Sequence, residues 1–177
     1  AIAADGLRID YENRARLVSL KTTFRSQEIG PSDVALVFVK SYHTEAVAVA
    51  ASAIAGANGV VMTLQNGLGN AEALAACMPQ NRIIAGTTSH GATLLGPGHI
   101  RHAGAGPTVI GNWDGEDMTT VKAIAAEFCK AGIECRAVAD VRSVIWEKLL
   151  VNVGINAITA LTGIRNGQLL DMGVTRD

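Results

Sequence analysis

The feature that most constrains the fold is a continuous apolar run, VALVFV, at residues 34–39. Most of its residues are β-branched or aromatic, and no polar residue alternates with them. Such a run is typical of a strand that is buried on both faces of a parallel sheet. A second run of this kind, VVMTL at 60–64, follows an Ala-rich segment at 44–54. The sequence therefore predicts a β-α-β unit built around a parallel sheet.

The rest of the chain continues the alternation of strands and helices. Residues 90–110 contain many glycines and period-2 stretches, and we expect them to add antiparallel strands to the same sheet. The other predicted elements are a hairpin at 7–11 and 16–21, a short helix at 71–77, a strand at 82–86, an amphipathic helix at 118–131, a strand at 134–138, a long helix at 141–161 and a short helix at 167–172.

Composition and charge argue against several functional classes. Hydrophobic residues make up 49% and charged residues 18%, which allows a buried core, and the net charge of −1 provides no basic field for nucleic acid. No uninterrupted apolar run approaches the roughly 18 residues that span a bilayer. Three cysteines without paired spacing predict buried, reduced thiols and neither a disulfide framework nor a metal site. We therefore expect a cytoplasmic protein that binds neither nucleic acid nor a membrane.

Ligands of open parallel sheets bind beyond the carboxyl ends of the strands. The first predicted strand ends at Lys40, and the second is followed by the segment QNGLGN at 65–70. Glycines such as Gly67 let the backbone approach a ligand closely, and the Asn66 amide offers both a donor and an acceptor. An ordinary tight turn explains the same Asn-Gly pair, so this segment alone leaves both interpretations open.

A polar stripe on the long predicted helix is the more specific pattern. Lys148, Asn152 and Asn156 stand four residues apart and therefore share one helix face, among mostly apolar neighbours. Asparagines in such a setting require a polar partner or a polar cavity. If the stripe faces the strand ends, Lys148 could donate a proton to a carbonyl oxygen as a hydride reaches its carbon. The alternative is a solvated stripe from which Lys148 extends outward.

Three segments together resemble the ketopantoate reductase (2-dehydropantoate 2-reductase) family. They are QNGLGN at 65–70, GTTSHGA at 86–92 and IWEKLLVNVGINAITALTGIRNGQL at 145–169. The resemblance implies reduction of 2-dehydropantoate to pantoate with NADPH, on the route to pantothenate and coenzyme A. The implied residues are Lys148 as the catalytic acid, Asn152, Asn156 and Asn166 for the substrate, and Lys40, Asn66 and Gly67 for the cofactor.

The resemblance also implies an architecture. Residues 1–139 are expected to form a truncated Rossmann-like domain, an α/β fold with a doubly wound and mostly parallel sheet. Residues 140–177 are expected to begin an all-helical substrate and dimerisation domain, so a homodimer is compatible with the family. The family's Gly-x-Gly-x-x-Gly loop, which cradles a pyrophosphate, does not occur in this sequence. We therefore expect this chain to be a fragment that is inactive by itself.

Other functions remain open on the same residues. One is another 2-hydroxyacid-type dehydrogenase on the same scaffold, another a non-catalytic nicotinamide-binding regulator, and a third a plain interaction module. Lys148 with three suitably spaced asparagines favours an enzyme, because a binding protein needs no proton donor there. Among the other residues, Trp146 is expected to be a core anchor, and His90 receives no role although it could border the cleft.

Overall fold

Two β-sheets form the framework of the chain in the computed structural model, which describes residues 1–164 and Gln168. The main sheet has the strand order β3-β4-β5-β8-β9. Its strands are β3 (Val34–Val37), β4 (Val60–Thr63), β5 (Ile83–Thr88), β8 (Thr108–Asn112) and β9 (Cys135–Ala137). β3, β4 and β5 are parallel, β8 runs antiparallel to β5, and β9 is parallel to β8. The predicted parallel centre of the sheet is therefore confirmed.

The second sheet has the order β2-β1-β7-β6. It consists of β1 (Leu7–Asp10), β2 (Ala15–Val18), β6 (Gly91–Gly96) and β7 (His99–Gly104). The predicted hairpin of β1 and β2 is confirmed, but the expectation that all of 90–110 joins the main sheet is wrong. Only β8 does so, because its five residues are all buried, whereas β6 and β7 are largely exposed. β7 carries His99, Arg101 and His102 and therefore lacks the continuous apolar side chains that two covered faces require.

Helices cover both faces of the main sheet, as a doubly wound fold requires. One core cluster includes residues of α2 (Thr44–Ala55) and α3 (Asn70–Ala75), together with Val141 at the start of α5 (Val141–Thr162). A second cluster on the opposite face includes Val121, Ile124 and Ala125 of α4 (Met118–Lys130). A four-residue helix, α1 (Ile2–Asp5), precedes β1. The Rossmann-like α/β class is confirmed, while the predicted helix at 167–172 lies outside the described residues.

The long helix α5 is capped at its start and largely uncovered along its length. The Asp140 carboxylate accepts a hydrogen bond from the backbone N–H of Ser143 at 3.1 Å, and Val141 is buried. Trp146 is 53% exposed, so the expectation that it is a core anchor is wrong for this chain. By length and composition alone α5 could cross a bilayer, with a mean hydropathy of 1.4 over 18 residues. The helix contains no long uninterrupted apolar run, because single polar residues interrupt it. These residues lower the mean hydropathy only slightly, so the average stays high.

The cysteines also differ from expectation. Cys77 and Cys129 are exposed and Cys135 is partly buried, and all three are free thiols. The prediction that the cysteines are buried is therefore wrong for Cys77 and Cys129. Cys129 and Cys135 flank the turn between α4 and β9. Cys135 packs against the edge of the second core cluster, and this burial raises the pKa of its thiol.

Candidate active site

The carboxyl ends of β3, β4 and β5 meet along one edge of the main sheet. There the chain forms an open hollow, which we call the strand-end crevice; it is lined by Phe38, Val39, Lys40, Ser41, Leu64, Gln65, Asn66, Thr88 and His90. Lys40 and Asn66, predicted separately from the two strand ends, lie in this one crevice. The structure thus brings the predicted residues of the two strand ends together.

The segment after β4 adopts a glycine-dependent loop. Gly67 and Gly69 have φ angles of +86° and +87°, a region that side chains with a Cβ rarely adopt. A Cβ built on Gly67 would meet nothing within 4 Å, so this backbone is open to a ligand. Gly69 then precedes α3 directly. The segment is therefore a tight turn whose backbone a ligand can approach, so the two sequence interpretations do not exclude each other.

A buried polar network fixes this loop, and sequence analysis missed it. The Gln65 side-chain amide donates to the carbonyl oxygen of Val39 at 2.6 Å and to Thr44 Oγ1 at 3.0 Å. Thr44 Oγ1 in turn donates to Asn70 Oδ1 at 3.0 Å, and Asn70 Nδ2 donates to the carbonyl oxygen of Asn66 at 3.2 Å. Thr44 and Asn70 are only 1% and 6% exposed. The network ties the end of β3, the start of α2 and the Asn66 loop into one unit.

Lys148 reaches the strand ends from α5. Its ammonium Nζ donates to the carbonyl oxygen of Thr88, the last residue of β5, at 2.6 Å. The side chain is partly buried, and this burial lowers the pKa of Lys148 below that of an ordinary lysine. Desolvation disfavours the charged form, so the group is a stronger acid here than in water. Lys148 therefore bonds a residue that lines the strand-end crevice and does not extend freely into bulk solvent.

The two asparagines of the stripe face the same loop. Asn152 and Asn156 line a second hollow, the asparagine hollow, together with Asn66, Gly67, Leu149, Val153 and Ala157. Asn152 is partly buried and Asn156 is exposed, so the solvated alternative describes only the far end of the stripe. Asn66 belongs to both hollows, which makes them neighbours. Asn166, the third predicted substrate residue, lies outside the described residues.

A cation–aromatic contact anchors the start of α5. The Arg142 guanidinium lies over the Trp113 ring, 3.7 Å from its centroid, and Nη2 donates to the Trp113 carbonyl oxygen at 3.2 Å. Trp113 is 6% exposed and belongs to the core of the main sheet. This contact sets where α5 begins relative to the sheet and therefore where Lys148, under two turns later, can reach.

Besides Lys40, the strand-end crevice is lined by one other titratable residue of the described part of the chain, His90. Its Nδ1 lies 3.2 Å from Nε2 of His102. Over residues 1–164 and Gln168, no group of three or more His, Cys, Asp or Glu side chains is arranged to hold a metal ion.

Comparisons with known proteins show the family of this chain. Residues 1–115 match the family model described as ketopantoate reductase PanE/ApbA, and residues 140–177 match the model of its C-terminal part. A 2-dehydropantoate 2-reductase of Halobacterium salinarum is 40% identical over 171 residues, which cover 96% of this chain and 56% of that protein. The chain spans about half the length of the curated relatives it matches.

Solved structures give the same result. The crystal structure of 2-dehydropantoate 2-reductase from Geobacter metallireducens matches with a TM-score of 0.90 and 33% identity, over 99% of this chain and 59% of that one. A D-mandelate dehydrogenase solved with NADH and anilino(oxo)acetate matches with a TM-score of 0.89 at 20% identity, over 98% of this chain and 56% of that one, and shows the fold alone. From the family-model matches and the 40% identical relative, this chain belongs to the ketopantoate reductase PanE/ApbA family.

Proposed function

We propose that the protein carrying this chain reduces 2-dehydropantoate to pantoate with NADPH, and that Lys148 is the general acid. One observation carries the proposal: a partly buried ammonium on α5 bonds the carbonyl oxygen of Thr88, which lines the strand-end crevice together with Asn66. Further support comes from the relatives, which are named 2-dehydropantoate 2-reductase. A small oxo acid is thus the proposed substrate class, and the cytosol the proposed compartment.

The residues present fit the reactive end of a nicotinamide cofactor. The Gly67 backbone is open to close approach, and Asn66 and Lys40 both line the strand-end crevice. When bound there, the nicotinamide would supply a hydride to the carbonyl carbon of the substrate. The choice of NADPH over NADH rests on the family resemblance, since the residues that would meet the adenosine 2′-phosphate do not belong to this crevice.

Lys148 would complete the reduction by proton transfer. As negative charge develops on the carbonyl oxygen, the Nζ ammonium donates a proton to it and becomes a neutral amine. A lowered pKa suits this task, because an acid whose pKa lies nearer the working pH transfers its proton more readily. The Thr88 carbonyl oxygen holds Nζ at the crevice wall and leaves its other protons available.

Asn152 and Asn156 would orient the substrate. Their amides lie along the asparagine hollow next to Gly67 and can hydrogen-bond the hydroxyl and carboxylate groups of 2-dehydropantoate. Such positioning converts binding energy into a reactive geometry. We assign Asn166 to the same task from the resemblance alone.

We further propose that residues 1–139 are part of a dinucleotide-binding domain and that 140–177 begin a helical domain. The separate family-model matches at 1–115 and 140–177 support this division. Additional helices, and a second subunit if the protein dimerises, would cover the apolar residues that α5 exposes, such as Leu150, Val153 and Leu161. The 177-residue chain without a pyrophosphate loop should bind NADPH weakly and be inactive alone.

A steady-state assay of the whole native protein that carries these residues tests the proposal. NADPH oxidation should depend on 2-dehydropantoate and yield pantoate, and Asn152→Ala should raise KM by about tenfold or more through lost hydrogen bonds. Asn58→Ala, in an exposed turn, is the matched control. If the protein reduces other 2-oxo acids but does not reduce 2-dehydropantoate, it is a different dehydrogenase. Cofactor binding without turnover of any oxo acid would indicate a regulator.

A further inference from the structure

Two histidines join the two sheets beside the strand-end crevice. His90 lies in the two-residue connection between β5 of the main sheet and β6 of the second sheet, and His102 lies on β7. His90 Nδ1 and His102 Nε2 are 3.2 Å apart, so one imidazole donates a hydrogen bond to the other. The pair therefore links the connection to the second sheet through side chains.

The same connection carries the acceptor of Lys148. The backbone N–H of His90 donates to Thr88 Oγ1 at 3.4 Å, and Thr88 Oγ1 lies 3.0 Å from Thr108 Oγ1 on β8. The Thr88 carbonyl oxygen accepts the Lys148 ammonium at 2.6 Å. His90 is thus two residues along the chain from the carbonyl oxygen that holds Nζ.

His102 is itself held in place on its far side. Its ring packs against Tyr11, with 5.5 Å between centroids, and the Arg14 guanidinium lies 5.2 Å from the centroid of the Tyr11 ring. Tyr11 and Arg14 belong to the turn that joins β1 and β2. The second sheet therefore presents a fixed hydrogen-bonding partner to His90.

The other nitrogen of His90 has a costly environment. Nε2 is fully buried and has no hydrogen-bond partner within the described part of the chain. An apolar ring of similar size would avoid this cost, so packing alone does not account for an imidazole here. What the imidazole adds is its bond to His102.

We propose that the hydrogen bond between His90 and His102 is a positioning device for Lys148: it holds the β5–β6 connection so that the Thr88 carbonyl oxygen receives Nζ. This rests on the proposed role of Lys148, and it makes His90 a positioning residue that does not itself touch the substrate. Without the bond, the connection loosens and water reaches the ammonium, both hydrating its charge and replacing the carbonyl as acceptor. Since burial lowers the pKa of Lys148, that loosening raises it.

NMR titration of the isotopically labelled chain tests this without any turnover, so a failure of the proposed function cannot be mistaken for a failure of the device. His90→Leu and His102→Leu should each raise the pKa of Lys148 by about half a unit or more, as partial rehydration requires. His90→Asn and His102→Gln, whose amides can replace Nδ1 and Nε2, should largely restore the original value. His99→Leu is the matched control, because it removes another histidine of strand β7, one that bonds Asp10 of β1 and not His90.

The outcomes are decisive in both directions. A rise in the two leucine variants, with restoration in the amide variants and none in His99→Leu, supports the device. No change, a fall, or an equal rise in His99→Leu overturns it. If the leucine variants fail to fold, a nitrogen–nitrogen scalar coupling between the two imidazoles is measured in the unaltered chain. Its presence, together with the titrations of the amide variants, supports the proposal, and its absence overturns it.

Discussion

The ammonium of Lys148 lies 2.6 Å from the carbonyl oxygen of Thr88, so a single charge on α5 is held at the carboxyl end of β5. The bond crosses from the helix to the main sheet between residues 60 positions apart in the chain. Because the side chain is partly buried, the contact places a charge where water is scarce. A structural role alone would be served at lower cost by an uncharged residue.

The stability of the chain should reveal this cost through its pH dependence. The pKa of Lys148 is lower in the folded chain than the unfolded value of about 10.4, so the unfolded chain binds the proton more tightly. At neutral pH the folded state carries the full penalty of the buried charge. As pH rises through the window between the lowered and the ordinary pKa, the folded state loses its proton first and gains relative stability.

We therefore expect Lys148→Met to be at least as stable as the unaltered chain near pH 7, with an advantage that shrinks toward pH 10. Urea denaturation at several pH values measures this, and Lys122→Met, at an exposed position of α4, is the matched control. An advantage that grows with pH would contradict the lowered pKa.

The network behind the Asn66 loop should matter for stability. Asn70→Ala leaves the Thr44 hydroxyl and the Asn66 carbonyl oxygen without their partner, which should lower the free energy of unfolding by about 1–3 kcal/mol. Asn58→Ala removes an exposed amide and should change it by less than about 0.5 kcal/mol. Equal effects of the two substitutions in chemical denaturation would show that the network is not needed.

The anchor of α5 can be tested through its aromatic partner. In a Trp146→Phe background, where Trp113 is the remaining tryptophan, Arg142→Ala should shift the fluorescence maximum to longer wavelength as water reaches the ring. It should also destabilise the chain by about 1 kcal/mol, the scale of an exposed cation–π contact with one hydrogen bond. Arg136→Ala, at an exposed position of β9, should do neither. An unmoved spectrum for Arg142→Ala would remove this contact from the account.

Patterns that repeat along the chain were predictable. Continuous apolar runs identified β3 and β4 because strands covered on both faces need apolar side chains throughout. The spacing of Lys148, Asn152 and Asn156 identified one helix face, and the strand-end rule identified the loop it meets. Asn66 shares one hollow with Asn152 and Asn156 and the other with Lys40. Lys148 bonds Thr88, which lines the second of these hollows.

Contacts between distant segments were not predictable. Thr44 and Asn70 are 26 positions apart, and Arg142 and Trp113 are 29 apart, and no periodicity connects them. The separate second sheet was not predicted for a similar reason: β1 pairs with β7, whose residues lie about half the chain length away, as in the pair Arg8 and His99. Glycine-rich strands carry weak register information, so their partner is decided by the fold and not by their own pattern. The exposure of Trp146 also depends on what lies beside α5, which local composition does not determine.

Turnover of the whole native protein with Lys148→Met tests the central claim most directly. Loss of the general acid should lower kcat by about two to four orders of magnitude, with a much smaller change in KM for 2-dehydropantoate. The rate of the unaltered enzyme should decline at alkaline pH, where the ammonium deprotonates. The residual activity of Lys148→Met should show no such decline. Lys122→Met should behave like the unaltered protein. A Lys148→Met enzyme with unchanged kcat and an unchanged alkaline decline would contradict the assignment of this residue as the proton donor.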